Sequence, residues 1–335
     1  MKNWQATGGG RDGLRLFELP KPRPRKGEIL VRVKAVSLNY RDRLMIDSDA
    51  YSAYGLPFTP CSDLAGEVEA LGADAAGFAV GDRVIANFTA GWIDGPPPRL
   101  RGEIPSLGGP LPGVLSEYVS LPAGWFVKAP AGLDDVQAST LPCTALTAWT
   151  CLFELGGLKP GQTVVLQGTG SVSLFALQFA SAMGAEVIVT TTSDAKAERV
   201  KSLGAHHVVN RADTRDWAGA VSALTRGRGA DCILEIAGGA NLGKSVAALA
   251  PGGRIFLLGV IEGFESSFPS VPAIHAFATI QAVYVGHRHG LENMVRSIEA
   301  KGLTPVVDTE FSFAEFPEAL GHLERGPFGK VVIRV

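Results

Sequence analysis

The sequence predicts an α/β protein in two parts, a mostly antiparallel β domain and a doubly wound parallel sheet inserted into it. Three observations carry this. Residues from about 28 to 120 alternate apolar and polar in short runs broken by Gly, Pro and Asp. From about 160 to 286, continuous apolar runs alternate with helical periods, and after 286 the short runs return. Alternation of period two suits a half-buried strand, whose successive side chains point to opposite faces. Apolar strands separated by helices suit a parallel sheet covered on both faces.

In chain order, the first part offers the strands "EILVRVKAVSL" from Glu28, "AGEVEALG" from Ala65, "GDRVIANF" from Gly81 and "LSEYVSLP" from Leu115. Between the last two, Gly91–Gly113 is a long Pro/Gly loop, the length of a functional lid or a lobe remnant. The second part offers "TVVLQG" from Thr163, "EVIVTT" from Glu186, "HHVVN" from His206, "DCILEIAG" from Asp231, "GGRIFLLGV" from Gly252 and "QAVYVG" from Gln281. Helices from Ser173, Asp194, Arg215 and Ala240 lie between them. A helix from Leu291 follows, then two short strands from Val306 and Lys330 that read as antiparallel, like the first region. The expected division is 1–122 with 287–335 for the β domain, and 123–286 for the parallel sheet.

The chain has 335 residues, 46% of them hydrophobic and 19% charged, with a formal net charge of -2. That balance provides no field for nucleic acid or an anionic membrane. No apolar run approaches the ~20 residues that span a bilayer, and the expected location is cytoplasmic. Cys61, Cys143, Cys151 and Cys232 form no C-x-x-C pair, so reduced thiols are expected.

A phosphate-binding turn is legible where "TVVLQG" runs into "TGSVSLFALQFA". Gly168 and Gly170 supply the tight turn and the close approach of an anion to backbone N–H groups at a helix N-terminus, and Ser173 stands at the third glycine position. About 20 residues on, the tip Thr190–Lys196 offers Thr191, Ser193 and Lys196 where a carboxylate would favour NADH. Hydroxyls and a cation predict NADP(H). Asp194 argues the other way unless it caps the next helix.

At greater length the chain resembles the medium-chain dehydrogenase/reductase superfamily, and within it the zinc-independent, quinone-oxidoreductase-like branch. The matching stretches are "AVSLNYRD" at 35–42, "DLAGEVEALG" at 63–72, "GDRV" at 81–84, "STLPCTALTAW" at 139–149, "LKPGQTVVLQGTG" at 158–170, "AKAERVKSLGAHHVVN" at 195–210, "LLGV" at 257–260 and "FGKVVIRV" at 328–335. The resemblance implies a GroES-like catalytic domain with an inserted Rossmann domain, and a homodimer formed through the edge strand "AVYVG". It places the catalytic zinc positions of the metal-dependent members on Asn39, Ser62 and Cys143, of which one is a usual zinc ligand. The loop at 88–112 has no cysteine for a structural zinc. No metal is expected. His287 and His289 read as a metal pair or as surface or cofactor-side residues.

Without a Lewis acid, hydride transfer suits an acceptor that is already electrophilic, a quinone or an enone-type activated alkene. By resemblance "SLNYRD" lines the active cleft. Asn39 would orient substrate or the nicotinamide ribose. Tyr40 would donate to the developing oxyanion, or pack against the cofactor; Arg41 would add charge, or be solvated. Also by resemblance, Thr147 reaches the nicotinamide-side phosphate or ribose, while Gly170, Ser171 and Val172 line the pyrophosphate. Gly259, Val260, Val285 and Gly286 approach the nicotinamide ring, and Lys330 closes over the cofactor. Cys143 reads as a reactive thiol or a buried cleft residue, and Phe88 and Trp92 as pocket walls or, for Trp92, a loop anchor. Two other functions stay open: a metal-free alcohol or aldehyde dehydrogenase, and an NADPH-binding regulatory protein without turnover.

Overall fold

The computed structural model describes residues 1–98 and 104–335, so residues 99–103 of the long loop lie outside the described residues. The chain folds into two compact units, Met1–Leu146 with Val285–Val335, and Thr147–Tyr284.

The first unit begins with an antiparallel pair, β1 (Lys2–Ala6) and β2 (Leu14–Glu18). Next come β3 (Glu28–Ser37), α1 (Tyr40–Asp47), β4 (Asp63–Leu71), β5 (Arg83–Ala86), β6 (Tyr118–Pro122), β7 (Phe126–Lys128) and α2 (Asp135–Ser139). The long strand β3 pairs antiparallel with both β4 and β6, and β4 continues to β5 and β7. The unit's core sits on this sheet, around Ile29, Val31, Leu64 and Phe126. The first boundary lies at Leu146/Thr147, 24 residues beyond the expected 122/123. The cause is packing: β7 adds to β5, and α2 lies on β3 and β4, its Asp135 2.7 Å from Arg83.

Around the boundary, α3 (Leu146–Trp149) is flanked by wide π-helical turns at Leu141–Ala145 and Thr150–Leu155. The second unit then alternates β8 (Thr163–Gln167), α4 (Ser171–Met183), β9 (Glu186–Thr191), α5 (Asp194–Ser202), β10 (His207–Asn210), α6 (Trp217–Leu224), β11 (Ala230–Glu235), α7 (Asn241–Ala247), β12 (Leu249–Leu257), α8 (Ser270–His275) and β13 (Thr279–Ala282). All six strands are parallel, in the order β10-β9-β8-β11-β12-β13. In sequence terms this is 3-2-1-4-5-6, which reverses between β8 and β11 and puts a ligand crevice at their carboxyl ends. Val165, Ile188, Ile233, Ile255 and the indole of Trp217 form the core.

One expectation is corrected here. The last strand ends at Ala282, so Val285 and Gly286 lie beyond the sheet, in the first unit. Val285 has φ 54°, a strained value for a β-branched residue. Helix α8 is not foreseen by the sequence, because six residues containing a proline carry no helical period.

The chain closes with α9 (Arg288–Lys301), β14 (Val307–Ser312), α10 (Phe316–Glu324) and β15 (Lys330–Arg334). β15 runs antiparallel to β3 as expected, but β14 and β15 are parallel. Parallel neighbours need a crossover, and α10 supplies it with Phe316 buried in the core. Among the described residues, no helix is long and apolar enough to cross a membrane.

Candidate active site

The nucleotide-binding turn is built in the second unit. β8 carries the chain to Gly168, whose φ of 72° requires glycine and whose N–H donates to Thr190 O at 2.8 Å. Gly170 is different. It caps α4 at φ -77°, ψ 172°, a conformation open to any residue, and a Cβ there would meet nothing within 4 Å. The protein itself does not demand glycine at this point. An anion close to the first-turn N–H groups, among them those of Ser171 and Val172, would demand it. Ser173 Oγ donates to Gln167 O at 2.7 Å, tying the first turn of α4 to the end of β8. Serine thus joins helix to strand at the third position, where glycine serves by being small. Gly170→Ala is therefore expected to leave stability within ~0.5 kcal/mol while weakening nucleotide binding, and Gly168→Ala to lower the melting point. Calorimetry with nucleotide titration checks both.

At the tip of β9, Thr191 is buried and its Oγ1 accepts from Ser193 N–H at 3.3 Å. Ser193, not Asp194, caps α5: its Oγ accepts from Lys196 N–H at 3.4 Å. Asp194 instead accepts from the Asn210 amide at 2.7 Å. One residue escapes sequence reasoning. Arg211 follows β10, its N–H donates to Thr191 O at 2.7 Å, and its Nε is shut away from solvent without a hydrogen-bond partner. A buried guanidinium nitrogen left unpaired calls for an explanation, and an anion at this tip would provide one.

A second residue that sequence reasoning misses lies at the switch point. Glu235, fully buried at the end of β11, accepts from Gln167 Nε2 (2.9 Å), Asn241 Nδ2 (3.0 Å), Ser245 Oγ (2.5 Å) and the N–H groups of Ala237 (2.9 Å) and Gly238 (3.0 Å). Gln167 is the residue before Gly168, so this network fixes the base of the phosphate turn. A signal exists for it: an acidic residue directly follows the apolar run Cys232–Leu234. Gly259, beyond β12, is required by packing, because a Cβ would fall 2.0 Å from Ile236 O. Val260 beside it is exposed, and Thr147 is buried in α3.

In the first unit, Asn39, Ser62, Asp63 and Lys330 close a polar ring. Lys330 Nζ donates to Asn39 Oδ1 (2.7 Å) and Leu38 O (2.9 Å), and Asn39 Nδ2 donates to Ser62 Oγ (3.2 Å). Ser62 Oγ donates to Asp63 Oδ1 (2.7 Å), whose Oδ2 stands 3.5 Å from the Lys330 ammonium. Lys330 is 1% exposed. Its donors are committed inside the unit, because a buried ammonium must be paired.

Around the polar ring, Tyr40 opens α1 as an exposed residue, its aromatic ring 5.3 Å from the Arg43 guanidinium. Arg41 is neither solvated nor available to substrate; it donates to Leu107 O (3.0 Å) and Gly109 O (2.8 Å) and lies 5.0 Å from the buried Phe88 ring. Burial, with Asp63 adding to it, pushes the Cys143 thiol well up, so it is not a reactive thiolate. Trp92 anchors the long loop: Trp92 O and Ile93 O accept from the N–H groups of Arg288 and His289. His287 Nδ1 accepts from Gly290 N–H and caps α9, His289 lies 3.2 Å from Asp94, and Gly286 O accepts from Thr89 Oγ1.

Asp42 sets a pH dependence. Its Oδ2 accepts from Asn39 N–H at 2.8 Å, its Oδ1 is buried without a partner, and burial raises it from 3.8 to about 6 against the pull of Arg41 and Asn39 N–H. Asp63 raises it further and Lys330 opposes. The folded state thus holds this proton more tightly than the unfolded chain. The resulting stability, on the order of 3 kcal/mol, is full below about pH 4 and is lost as pH rises through 6. Asp42→Asn is expected to remove this component, read as the difference between the two proteins' urea midpoints across that window. Midpoints that move in parallel would contradict it.

The comparisons with known proteins agree with this geometry. The family described as zinc-binding dehydrogenase matches residues 171–300, and the alcohol dehydrogenase GroES-like domain matches residues 25–131. A zinc-type alcohol dehydrogenase-like protein of Schizosaccharomyces pombe is 40% identical over 95% of this chain and 94% of its own. The chain belongs to the medium-chain dehydrogenase/reductase superfamily. A solved structure of a candidate alcohol dehydrogenase from Sinorhizobium meliloti 1021 superposes on this superfamily member with a TM-score of 0.93 at 51% identity, covering 100% of this chain and 98% of that one. Human quinone oxidoreductase is 26% identical over 97% of this chain and 94% of its own. The chain is accordingly an oxidoreductase of a pyridine-nucleotide-dependent family.

Within that superfamily the donor set at Asn39, Ser62 and Cys143 does not fit a zinc ion. The amide and the hydroxyl are poor ligands already engaged in the ring, and a lone thiol cannot complete a tetrahedral site. Among the described residues, no three His, Cys, Asp or Glu side chains cluster in a way that would hold a metal. The nucleotide turn, by contrast, fits a pyrophosphate, with room at Gly170 and an open helix N-terminus.

Proposed function

We propose that this protein is an NADPH-dependent reductase that transfers hydride to a quinone or an enone-type activated alkene without zinc. The observation that carries the reading is the ring at the metal positions, where Asn39 and Ser62 are hydrogen-bonded to each other and to Lys330 and Asp63. Bound dihydronicotinamide supplies the hydride. The chain's own part is to hold the nucleotide and to meet the negative charge that develops on the acceptor oxygen. Gly168, Gly170, Ser171 and Val172 bind the pyrophosphate; Thr191, Ser193, Lys196 and Arg211 receive the 2′-phosphate. Asn39 and Tyr40 donate hydrogen bonds to the acceptor, and Thr147, Gly259, Val260, Val285 and Gly286 line the nicotinamide. A low-barrier electrophile needs no stronger Lewis acid than such donors.

The test is a panel of 1,4-benzoquinone, 2-cyclohexen-1-one, an aldehyde and a secondary alcohol, run with each nicotinamide cofactor. Consumption of NADPH by the quinone or the enone supports the reading. Alcohol oxidation alone favours a dehydrogenase, and tight NADPH binding without turnover favours a regulatory protein. Unchanged turnover in Tyr40→Phe would remove Tyr40 from the chemistry.

We also infer a cytoplasmic homodimer paired through the β13 edge. In the segments flanking that edge strand, Phe264 (85%), Phe277 (78%) and Ile274 (68%) are exposed, more large apolar surface than a lone monomer usually leaves in one short stretch. Sedimentation is expected to give a dimer at micromolar concentration and a monomer for Phe277→Asp. A monomeric wild type would refute it.

A further inference from the structure

We propose that Lys330 is a positioning residue that locks the Asn39 carboxamide with its Nδ2 presented as a donor, so that a buried ammonium and an amide together supply the electrophilic contact. The inference rests on the proposed reductase reading and deepens it.

The direction of every bond in the ring is forced. An ammonium has no lone pair, so the end of Asn39 that meets Lys330 Nζ at 2.7 Å must be the oxygen. The amide nitrogen then faces Ser62 Oγ, which accepts, and the Ser62 proton goes to Asp63. Asp63 returns to Lys330 across 3.5 Å, while the single Ser37 hydroxyl proton goes to Ser139 O at 2.9 Å. Lys330 has spent its donors on Leu38 O, Asn39 Oδ1 and Asp63. Each carboxamide nitrogen carries two hydrogens, and Ser62 takes one. The second hydrogen of Asn39 Nδ2 is the ring's unspent donor.

Exposure agrees with the direction of the bonds. Ser62 and Asp63 are fully buried and Lys330 nearly so, while Asn39, at 5%, is the most exposed of the four. Charge adds to the geometry, because an ammonium on Oδ1 withdraws electron density from the amide and strengthens Nδ2–H as a donor. As hydride reaches the electrophilic carbon, the displaced electron pair moves to the acceptor oxygen, and a donor fixed beforehand reorganises least. A free asparagine would flip between its two orientations; this one cannot while Lys330 holds its oxygen. The charge of Asp63 balances Lys330, so the ring presents polarity without a net charge.

The experiment pairs Lys330→Met with Asp63→Asn, which removes the lock without stranding a buried carboxylate, and reads two signals. The first is the side-chain amide of Asn39 in asparagine-labelled protein by 15N NMR, which needs no substrate. The second is kcat and KM with 2-cyclohexen-1-one, together with nucleotide affinity by fluorescence. The lock predicts a shifted Asn39 resonance pair, kcat lower by about tenfold or more, the scale of one lost oxyanion donor, and nucleotide affinity within about twofold. It further predicts that Asn39→Asp lowers kcat alike, and that combining it with the double variant adds nothing further, because the residues act as one unit. An unmoved Asn39 resonance or an unchanged kcat overturns the proposal, as does an additive combination. Should the double variant not fold, Lys330→Arg keeps the charge beside Asp63 but moves the donor, and is held to the same two signals. A wild type inert toward every acceptor refutes the reductase reading, whereas an unmoved resonance refutes the lock itself.

Discussion

Glu235→Ala is expected to lower stability by about 4 kcal/mol or more, which ranks among large single-residue effects. The group removed has no solvent to replace it. Gln167 Nε2, Asn241 Nδ2, Ser245 Oγ and the N–H groups of Ala237 and Gly238 all donate to it. Each orphaned donor costs roughly 1–3 kcal/mol, with the sum reduced by local relaxation. Asn241 also accepts from the Trp217 indole at 3.2 Å, so the disturbance reaches the core around α6. Ser245→Ala, which removes one donor and leaves the rest satisfied, is the control and should cost about 1 kcal/mol. Nucleotide affinity should fall with Glu235→Ala as well, since Gln167 leads directly into the phosphate turn. Urea denaturation and nucleotide titration measure the two effects. A loss below about 1 kcal/mol would mean that the network does not hold the switch point together.

Arg211→Met is expected to weaken NADPH binding by about 10- to 100-fold while leaving NADH affinity unchanged. A hydrogen bond to a charged group contributes about 1.5–3 kcal/mol, which converts to that range. The same substitution should leave stability near that of wild type. Arg211 Nε has no partner to lose, and methionine fills a similar apolar volume. An equal loss for both nucleotides would show that Arg211 supports the fold of the tip rather than reading a phosphate. Wild type binding NADH as tightly as NADPH would remove the cofactor preference itself.

The architecture is legible because its signals are local. Apolar runs at β8, β9 and β11 and the helical period of α4 need no knowledge of partners, and the switch point follows from their alternation. Where sequence and structure part, the deciding interaction is distant or the segment short. β14 carries a strand pattern, but its parallel pairing depends on α10 returning the chain to β15. The phosphate turn is readable from Gly168 and Gly170, whereas Arg211 matters through a backbone bond to Thr191, 20 residues away. Lys330 shows the limit most clearly: "FGK" places a cation near the end of the chain, but its partner Asn39 lies 291 residues earlier. No period or motif spans that distance. Glu235 is the exception, a distant network with a local sign, since an acid directly after the apolar run Cys232–Leu234 is costly unless it is satisfied.

The central claim is that hydride transfer here proceeds from donors of the chain and not from a metal. It is tested most directly by following NADPH oxidation with 1,4-benzoquinone and 2-cyclohexen-1-one after exhaustive dialysis against a chelator, with zinc measured in the same sample. The account predicts undiminished turnover at substoichiometric zinc and no gain when zinc is restored. Activity that vanishes on dialysis and returns with one equivalent of zinc would contradict it.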